Sequence, residues 1–430
     1  MSTLPLATNI QDAFDALATA MYGTSAEPFH SARKAAMDGF NERGIPTTRH
    51  EEWKYTNVMP IAAKTWRHVQ NVWSDGTITD HVHPVPGLQN AIGIVLRNGI
   101  IHLTGSTIPD GVEIMPLSSA SVEDVNESDL HDNPFAVAAM ALSSEGVLVR
   151  VADNVQCPHT IHVMVCGETD DDGILLTTRV FVSAGRNAQV DVIETHHTLG
   201  GADLLSLGVC SAVVHEGARM SYVKIIDDAS ALHHIGQLTA RVERSGTFAS
   251  HSINLNAGFV RNDAQIKLAG ELSQGFLYGT SILDGVQYVD NHTVVDHMVP
   301  HCHSEELYKG VYNGASAGVF NGKIFVRPQA QKTTAYQSSH SLLLSGKAQV
   351  NAKPQLEIWA DDVKCSHGAT TGQLNEDAVF YLQARGLERS KAVAMLTNAF
   401  AAEVLEKLPH GELKNHLLQR LADKLGAAGL

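Results

Sequence analysis

Three textures of hydrophobic patterning follow one another along the chain. From Asn9 to about Arg43 the apolar residues recur at helical spacing, with Phe14, Leu17 and Met21 followed by Phe29, Ala36 and Phe40. A loop follows with Gly44, Pro46 and the polar run Thr47 to His50. The charged and aromatic cluster Glu51-Glu52-Trp53-Lys54-Tyr55 then opens another segment. Residues 76–90 hold Gly and Pro with little periodicity, which places a boundary near residue 90 and predicts a mainly helical region over 1–90.

From 91 to 374 short apolar alternations replace helical spacing: Ile92, Ile94, Leu96, then Val147, Leu148, Val149, Val151, then Ile161, Val163, Val165. After residue 180 glycine turns introduce the strand runs, at Gly185, Gly217, Gly246, Gly275, Gly285, Gly314 and Gly346. Gly217, Gly246 and Gly275 are 29 residues apart, as are Gly285 and Gly314, while two other steps are 32. Strand, turn and strand at a near-constant period predict a solenoid. Each coil of a solenoid buries its faces only against its neighbours, so a run of coils needs caps. An antiparallel sandwich with glycine turns is the alternative, and is less natural over so long and regular a stretch.

The third texture, over 375–430, is helical again. Asn375-Glu376-Asp377 offers a capping residue and an acidic first turn. Phe380, Tyr381 and Leu382 precede a break at Gly386. Ser390 is placed to cap a second helix with Val393, Leu396, Phe400, Val404, Leu405 and Leu408. After Pro409-His410-Gly411, Leu413, Leu417, Leu421 and Leu425 recur every fourth residue, an amphipathic last helix. Such a block suits a solenoid cap or a docking module.

Charge narrows the function. With 31 basic and 46 acidic residues the net charge is −15, which disfavours nucleic acid and anionic membrane as partners. No stretch approaches the roughly 20 apolar residues of a membrane span. Met1 to Ala20 mixes Gln11, Asp12 and Asp15 with apolar residues and reads as a helix, not a signal peptide. Five scattered cysteines, none in a CxxC pair, argue against a disulfide framework or zinc ribbon and point to a reducing cytoplasm. Neither GxGxxG nor GxxxxGK[ST] occurs. Gly314-Ala315-Ser316-Ala317-Gly318 matches GxSxG, but strand-like Val319-Phe320 follows, so it reads as a turn and not a nucleophile elbow.

Among the 23 histidines, His196-His197 and His233-His234 are poor chelates, because neighbours on a strand face opposite ways. In His301-Cys302-His303 the histidines would share a face, with Glu305 and Glu306 nearby; a stand-alone metal protein built there is one alternative function. Another is a β-helix carbohydrate enzyme drawing on Asp284, Asp290 and Asp296. Cys365-Ser366-His367 is the stronger candidate. It follows the strand Leu356 to Ala360 and the turn Asp361-Asp362, and strand geometry puts Cys365 and His367 on one side. A thiolate and an imidazole suit iron, zinc or an iron–sulfur cluster, but two ligands do not close a site, so the rest must come from elsewhere in the chain or from a partner.

The segment Lys353-Pro354-Gln355-Leu356-Glu357-Ile358-Trp359-Ala360-Asp361-Asp362-Val363-Lys364-Cys365-Ser366-His367-Gly368-Ala369-Thr370, continuing to Phe380-Tyr381-Leu382-Gln383-Ala384-Arg385-Gly386, closely resembles the SufB/SufD family of iron–sulfur assembly proteins. Gly318-Val319-Phe320-Asn321-Gly322-Lys323-Ile324 and Gly44-Ile45-Pro46 with Glu51-Glu52-Trp53-Lys54-Tyr55-Thr56 are similar to other stretches of the family, so the resemblance spans all three regions. It is of the SufD type. Ser366 and Gly368 flank His367 where SufB-type chains carry glutamates. Ser338-Ser339-His340 precedes Ser341-Leu342-Leu343-Leu344 where SufB-type chains carry a cysteine.

The resemblance implies a right-handed parallel β-helix flanked by N- and C-terminal helical regions, in a non-catalytic cytoplasmic scaffold. It implies a heterodimer with SufB and docking of the SufC ATPase on the C-terminal helices, where Phe380, Tyr381, Arg385 and Gly386 fall. It implies an iron or nascent iron–sulfur cluster site near the SufB interface, where Cys365 and His367 match the proposed residues. It leaves open whether a flavin binds the complex. An unsatisfied strand edge also makes a homodimer plausible for the chain in isolation.

Overall fold

The computed structural model describes residues 4–21, 27–74, 85–120, 133–169, 173–228, 231–409 and 411–427. Residues 76–84, within the stretch read as a boundary, and His410 lie outside them, as do the side chains of Met21 and Phe29.

The chain folds as a parallel β-solenoid flanked by helices. Successive strands alternate between two sheets, of ten and eleven strands among the described residues. Each strand pairs in parallel with the strand one coil later: Tyr288 with Ala317, then Ala317 with Gln349, in one sheet; Gln274 with His303, then His303 with Thr334, in the other. These steps explain the glycine spacing. Gly314 has φ +62°, and a Cβ there would lie 2.7 Å from the Gly285 nitrogen one coil back. At this turn a side chain would therefore collide with the coil behind it, whereas other turns place Asn187, Ser245, Leu272, His301 and Lys332 in the left-handed region, and Gly275 lies inside the strand Gln274–Leu283. The GxSxG string is the Gly314 turn: Ser316 is buried and a strand, Ala317–Val326, follows it.

Alternation along each strand sends one set of side chains into the lumen. Ile266, Val295 and Ile324 stack there in register, beside Phe248, Tyr308 and Phe320. The first coils are closed by antiparallel pairs, Ile92–Arg97 with Ile100–Gly105 and Val112–Pro116 with Val147–Val151. The last coil has no such closure. Its strands Gln349–Ile358 and Lys364–Gly372 end the two sheets.

Helices cover the outer faces. Helices α1 (Pro5–Met21), α2 (Glu27–Arg43), α3 (Met59–Ala62) and α4 (Pro134–Leu142) form the N-terminal set. Leu17, Phe40, Ile61 and Phe135 meet Leu205, Leu207 and Ile235 of the ten-stranded sheet. Helix α4 interrupts the stretch read as strand; Asn133 caps it by accepting from Phe135 N, and Pro134 opens it. Helices α5 (Glu376–Gln383), α6 (Arg389–Leu405) and α7 (Gly411–Ala427) form the C-terminal set. Asn375 caps α5 as its sequence suggested. Helix α6 starts just before Ser390, with Glu388 at its N-cap. Leu413, Leu417, Leu421 and Leu425 are buried against Val223, Ile253 and Ile282 of the eleven-stranded sheet. No helix among the described residues is long and apolar enough to cross a membrane.

Candidate functional site

The open end of the solenoid brings the chemistry together. Lys364 N donates to Thr333 O and Trp359 N to Val326 O, both at 2.9 Å. Donors alternate along a parallel ladder, so the N–H groups of Cys365, His367 and Ala369 point away from the sheet. Pro354 sits at the equivalent position of the other terminal strand, where a missing donor costs no ladder bond. The two outermost strands thus offer free edges, one of them interrupted by a proline.

Cys365 and His367 lie on the same outermost strand. Cys365 is half-buried and packs against the lumen cluster beside Leu356 and Val363. Burial pushes its thiol up, opposed by the Ala335 backbone. A metal binding there would therefore have to displace the thiol proton. His367 is exposed, since no coil follows it. In register behind His367 stands Gln337, and behind Gln337 stands Glu306. Both are buried. Gln337 Nε2 donates to Glu306 Oε1 at 3.2 Å, and Thr293 Oγ1 donates to Glu306 Oε2 at 2.5 Å from the opposite sheet. Burial pushes the Glu306 carboxyl up to about 7, and these two hydrogen bonds only partly offset it.

The C-terminal candidates form a second exposed patch. Phe380 and Tyr381 on α5 are 71% and 55% exposed, and the Arg385 guanidinium lies over the Tyr381 ring at 4.4 Å. Gly386 ends this turn at φ +91°. Two exposed aromatics on a short helix are unusual outside a contact surface.

Deeper in the lumen is a cluster that strand-by-strand reading missed. Ligand atoms of Glu194, His196 and His234 lie within 4.8 Å of one another, all buried. His196 Nε2 and Glu194 Oε1 are 2.7 Å apart, and the Tyr222 hydroxyl donates to Glu194 Oε2. Lys224 Nζ already stands where a cation would, 3.0 Å from His234 Nε2 and 3.4 Å from Glu194 Oε1. Burial alone would raise Glu194; the Lys224 ammonium and the bond to His196 hold it well below the carboxylate range. The set is an internally compensated ion pair, a poor metal site. His197 and His233 face the other way, as alternation requires: His197 bonds Thr195, and His233 packs edge-on against Trp66.

The remaining sequence candidates are dispersed. His301 sits in a left-handed turn at φ +62°, outside the strand His303–Tyr312, so strand geometry does not align it with His303. Asp290 is buried against Arg261, and Asp296 is paired with Arg327. The groove of about 810 Å³ that Asp296 lines has its main charges paired, Lys323 with Glu52, Arg261 with Asp263 and Arg327 with Asp296. Asp284 accepts from Gly285 N and from Asn313 Nδ2 in a turn, so no free carboxylate pair of the kind a glycosidase needs is formed by these three aspartates.

Comparison with known proteins adds the decisive observation. Residues 167–400 match the family model described as the SUF system FeS cluster assembly, SufBD core domain, and residues 6–163 match the SufBD protein N-terminal region. The chain belongs to the SufBD family. The iron–sulfur cluster assembly protein SufD of Escherichia coli is 28% identical over 89% of this chain and 90% of its own length. An iron–sulfur cluster assembly SufBD family protein of Synechocystis is 26% identical over 92% of this chain and 91% of its own. Protein ABCI7, chloroplastic, of Arabidopsis thaliana is 26% identical over 96% and 88%.

Membership makes this chain a component of iron–sulfur cluster assembly. Two of the SufBD-like motifs have visible physical work. The segment Glu51 to Thr56 is an anchor: Arg261 stacks on Trp53 with 3.7 Å to the ring centroid and donates to Glu52 O at 2.9 Å. Thr56 donates to Asp290, and the Tyr288 hydroxyl to Tyr55 O at 2.7 Å. In the other motif Gly322 faces the lumen opposite Gln337, where a Cβ would lie 2.4 Å from Gln337 Nε2.

Proposed function

We propose that this chain is the SufD-type scaffold subunit of an iron–sulfur assembly complex. It pairs with a SufB-type chain through the open end of its solenoid and docks a SufC-type ATPase on its C-terminal helices. It performs no catalysis itself; ATP chemistry belongs to the SufC-type partner. Cys365 and His367 supply part of a site for iron or a nascent cluster, and the SufB-type partner completes it. The observation that carries this reading is the placement of both residues on a free sheet edge, where a partner strand would bring further ligands beside them.

The donor set fits such cargo. A thiol that gives up its proton on binding, and an imidazole able to ligate through one nitrogen, suit iron. The exposed Phe380 and Tyr381, with Arg385 over the latter, suit a partner groove away from the metal. The free edges equally admit a second copy of this chain when no SufB-type partner is present.

Co-expression with SufB-type and SufC-type chains, purification of the complex, and iron and sulfide analysis test the proposal. Cys365→Ser and His367→Ala should leave the complex intact and lower the iron and sulfide it carries. Failure to form the complex would sink the scaffold reading. A fully loaded His367→Ala complex would sink the ligand reading alone.

A further inference from the structure

Gln337 is a buried amide with only one end satisfied. Its nitrogen is turned inward to Glu306, while Oε1 is buried and has no hydrogen-bond partner. A buried carbonyl without a donor is destabilising, because it has lost its water and gained nothing in exchange. This orphan is nonetheless held in place from two sides. Glu306, fixed across the lumen by Thr293, anchors the amide nitrogen. Gly322, by lacking a Cβ, leaves the space that the amide fills. The next rung outward in register is His367, about 4.8 Å along the sheet.

We propose that Gln337 is a positioning residue for His367: in this structure the two side chains are not bonded, and when the His367 ring turns inward over this rung Oε1 accepts from one ring N–H and leaves the other ring nitrogen bare toward the open end of the coil. Glu306 and Thr293 keep the amide in the orientation this needs. The inference rests on the proposed role of Cys365 and His367 as a metal-binding pair. The physical reason is tautomeric. A neutral imidazole ligates through the nitrogen that carries no proton, and the hydrogen bond made by the other nitrogen decides which that is. A histidine on the last strand has no following coil to fix its ring, so the orientation must come from the coil behind. The chain Thr293–Glu306–Gln337 ends on an unused acceptor at that place.

Histidine-selective 15N labelling of the full chain tests this, with His367→Ala identifying the His367 resonances and Co2+ as the metal probe. The wild type should show one His367 ring tautomer. Gln337→Met, which keeps the volume and removes the acceptor, should show a tautomer mixture and bind Co2+ about 10–100-fold more weakly with Cys365 intact. Gly322→Ala, which pushes a Cβ against the amide nitrogen, should do the same by a separate route and covers a misfolded Gln337→Met chain. If the wild type and these variants share one tautomer mixture while Co2+ still perturbs His367, the positioning role is wrong and the metal pair stands. If Co2+ leaves the wild-type His367 resonances unmoved both in the chain alone and in its complex with the SufB-type chain, the metal pair itself fails and the positioning role falls with it.

Discussion

At the scale of single residues, the open end of the lumen is governed by burial without charge compensation. Glu194, further in, has Lys224 beside it; Glu306 has only a hydroxyl and an amide. Its carboxyl is therefore raised to about 7 by burial. The unfolded chain would release this proton near pH 4.3, its ordinary value, at about 1.4 kcal/mol per unit of difference. Between those two values the folded state holds the extra proton, so stability is greatest below the lower one and falls as pH rises through the upper. Glu306→Gln abolishes that titration. Its thermal midpoint should rise relative to the wild type on going from pH 5 to pH 8, for a gain on the order of 3 kcal/mol. Equal pH profiles for the two proteins would show that Glu306 does not carry the raised proton affinity. The alternation that puts Cys365 and His367 on one face was legible within three residues of sequence. Glu306 and Gln337 were not, because they lie 31 residues apart and meet only once the coil length between them is known.

At the scale of elements, one short segment adds a polar anchor to the apolar packing of the N-terminal helices on the solenoid. Arg261 is its centre: it stacks on Trp53 and pairs with Asp263 at 2.9 Å and Asp290 at 2.8 Å, with Asp290 fully buried. Removing the cation would strand two carboxylates, and breaking a buried pair in this way costs about 3–5 kcal/mol. Arg261→Met should lower the thermal midpoint and expose the chain before residue 60 to limited proteolysis. Arg261→Lys should lose less, since it keeps the charge but not the planar fork. An unchanged digestion pattern in Arg261→Met would remove this anchor from the account. Sequence showed Glu51 to Tyr55 as an isolated charged and aromatic cluster. Its partners stand more than 200 residues later, as the 209-residue separation of Glu52 and Arg261 illustrates, and no local periodicity announces them. Helices α5 and α7, by contrast, were legible from the Asn375 cap and the leucine spacing, because those signals are local, whereas α6 has Glu388 and not Ser390 at its N-cap. Helix α4 escaped because its residues are apolar all round, which hides the helical period.

At the scale of the whole molecule, the solenoid is asymmetric. Antiparallel pairs blunt its first coils, while its last coil offers two free edges. A monomer gains nothing by leaving such edges open, since they invite indiscriminate strand pairing. Pro354 already limits what the ten-stranded sheet accepts, which leaves Lys364–Gly372, with Cys365 and His367, as the more complete edge. The alternation set by the Lys364 N to Thr333 O bond makes Ala369 an outward donor and Gly368 an inward one. Ala369→Pro should therefore leave the fold intact by circular dichroism yet lower recovery of the SufB-type chain on co-purification, and lower any self-association seen by sedimentation velocity. Gly368→Pro, one residue away, should instead weaken the fold itself by breaking the bond to the preceding coil. If Ala369→Pro recovers the partner as well as the wild type does, partner and chain do not meet through this strand, and the ligands that complete the Cys365 and His367 site must approach from the lumen mouth instead.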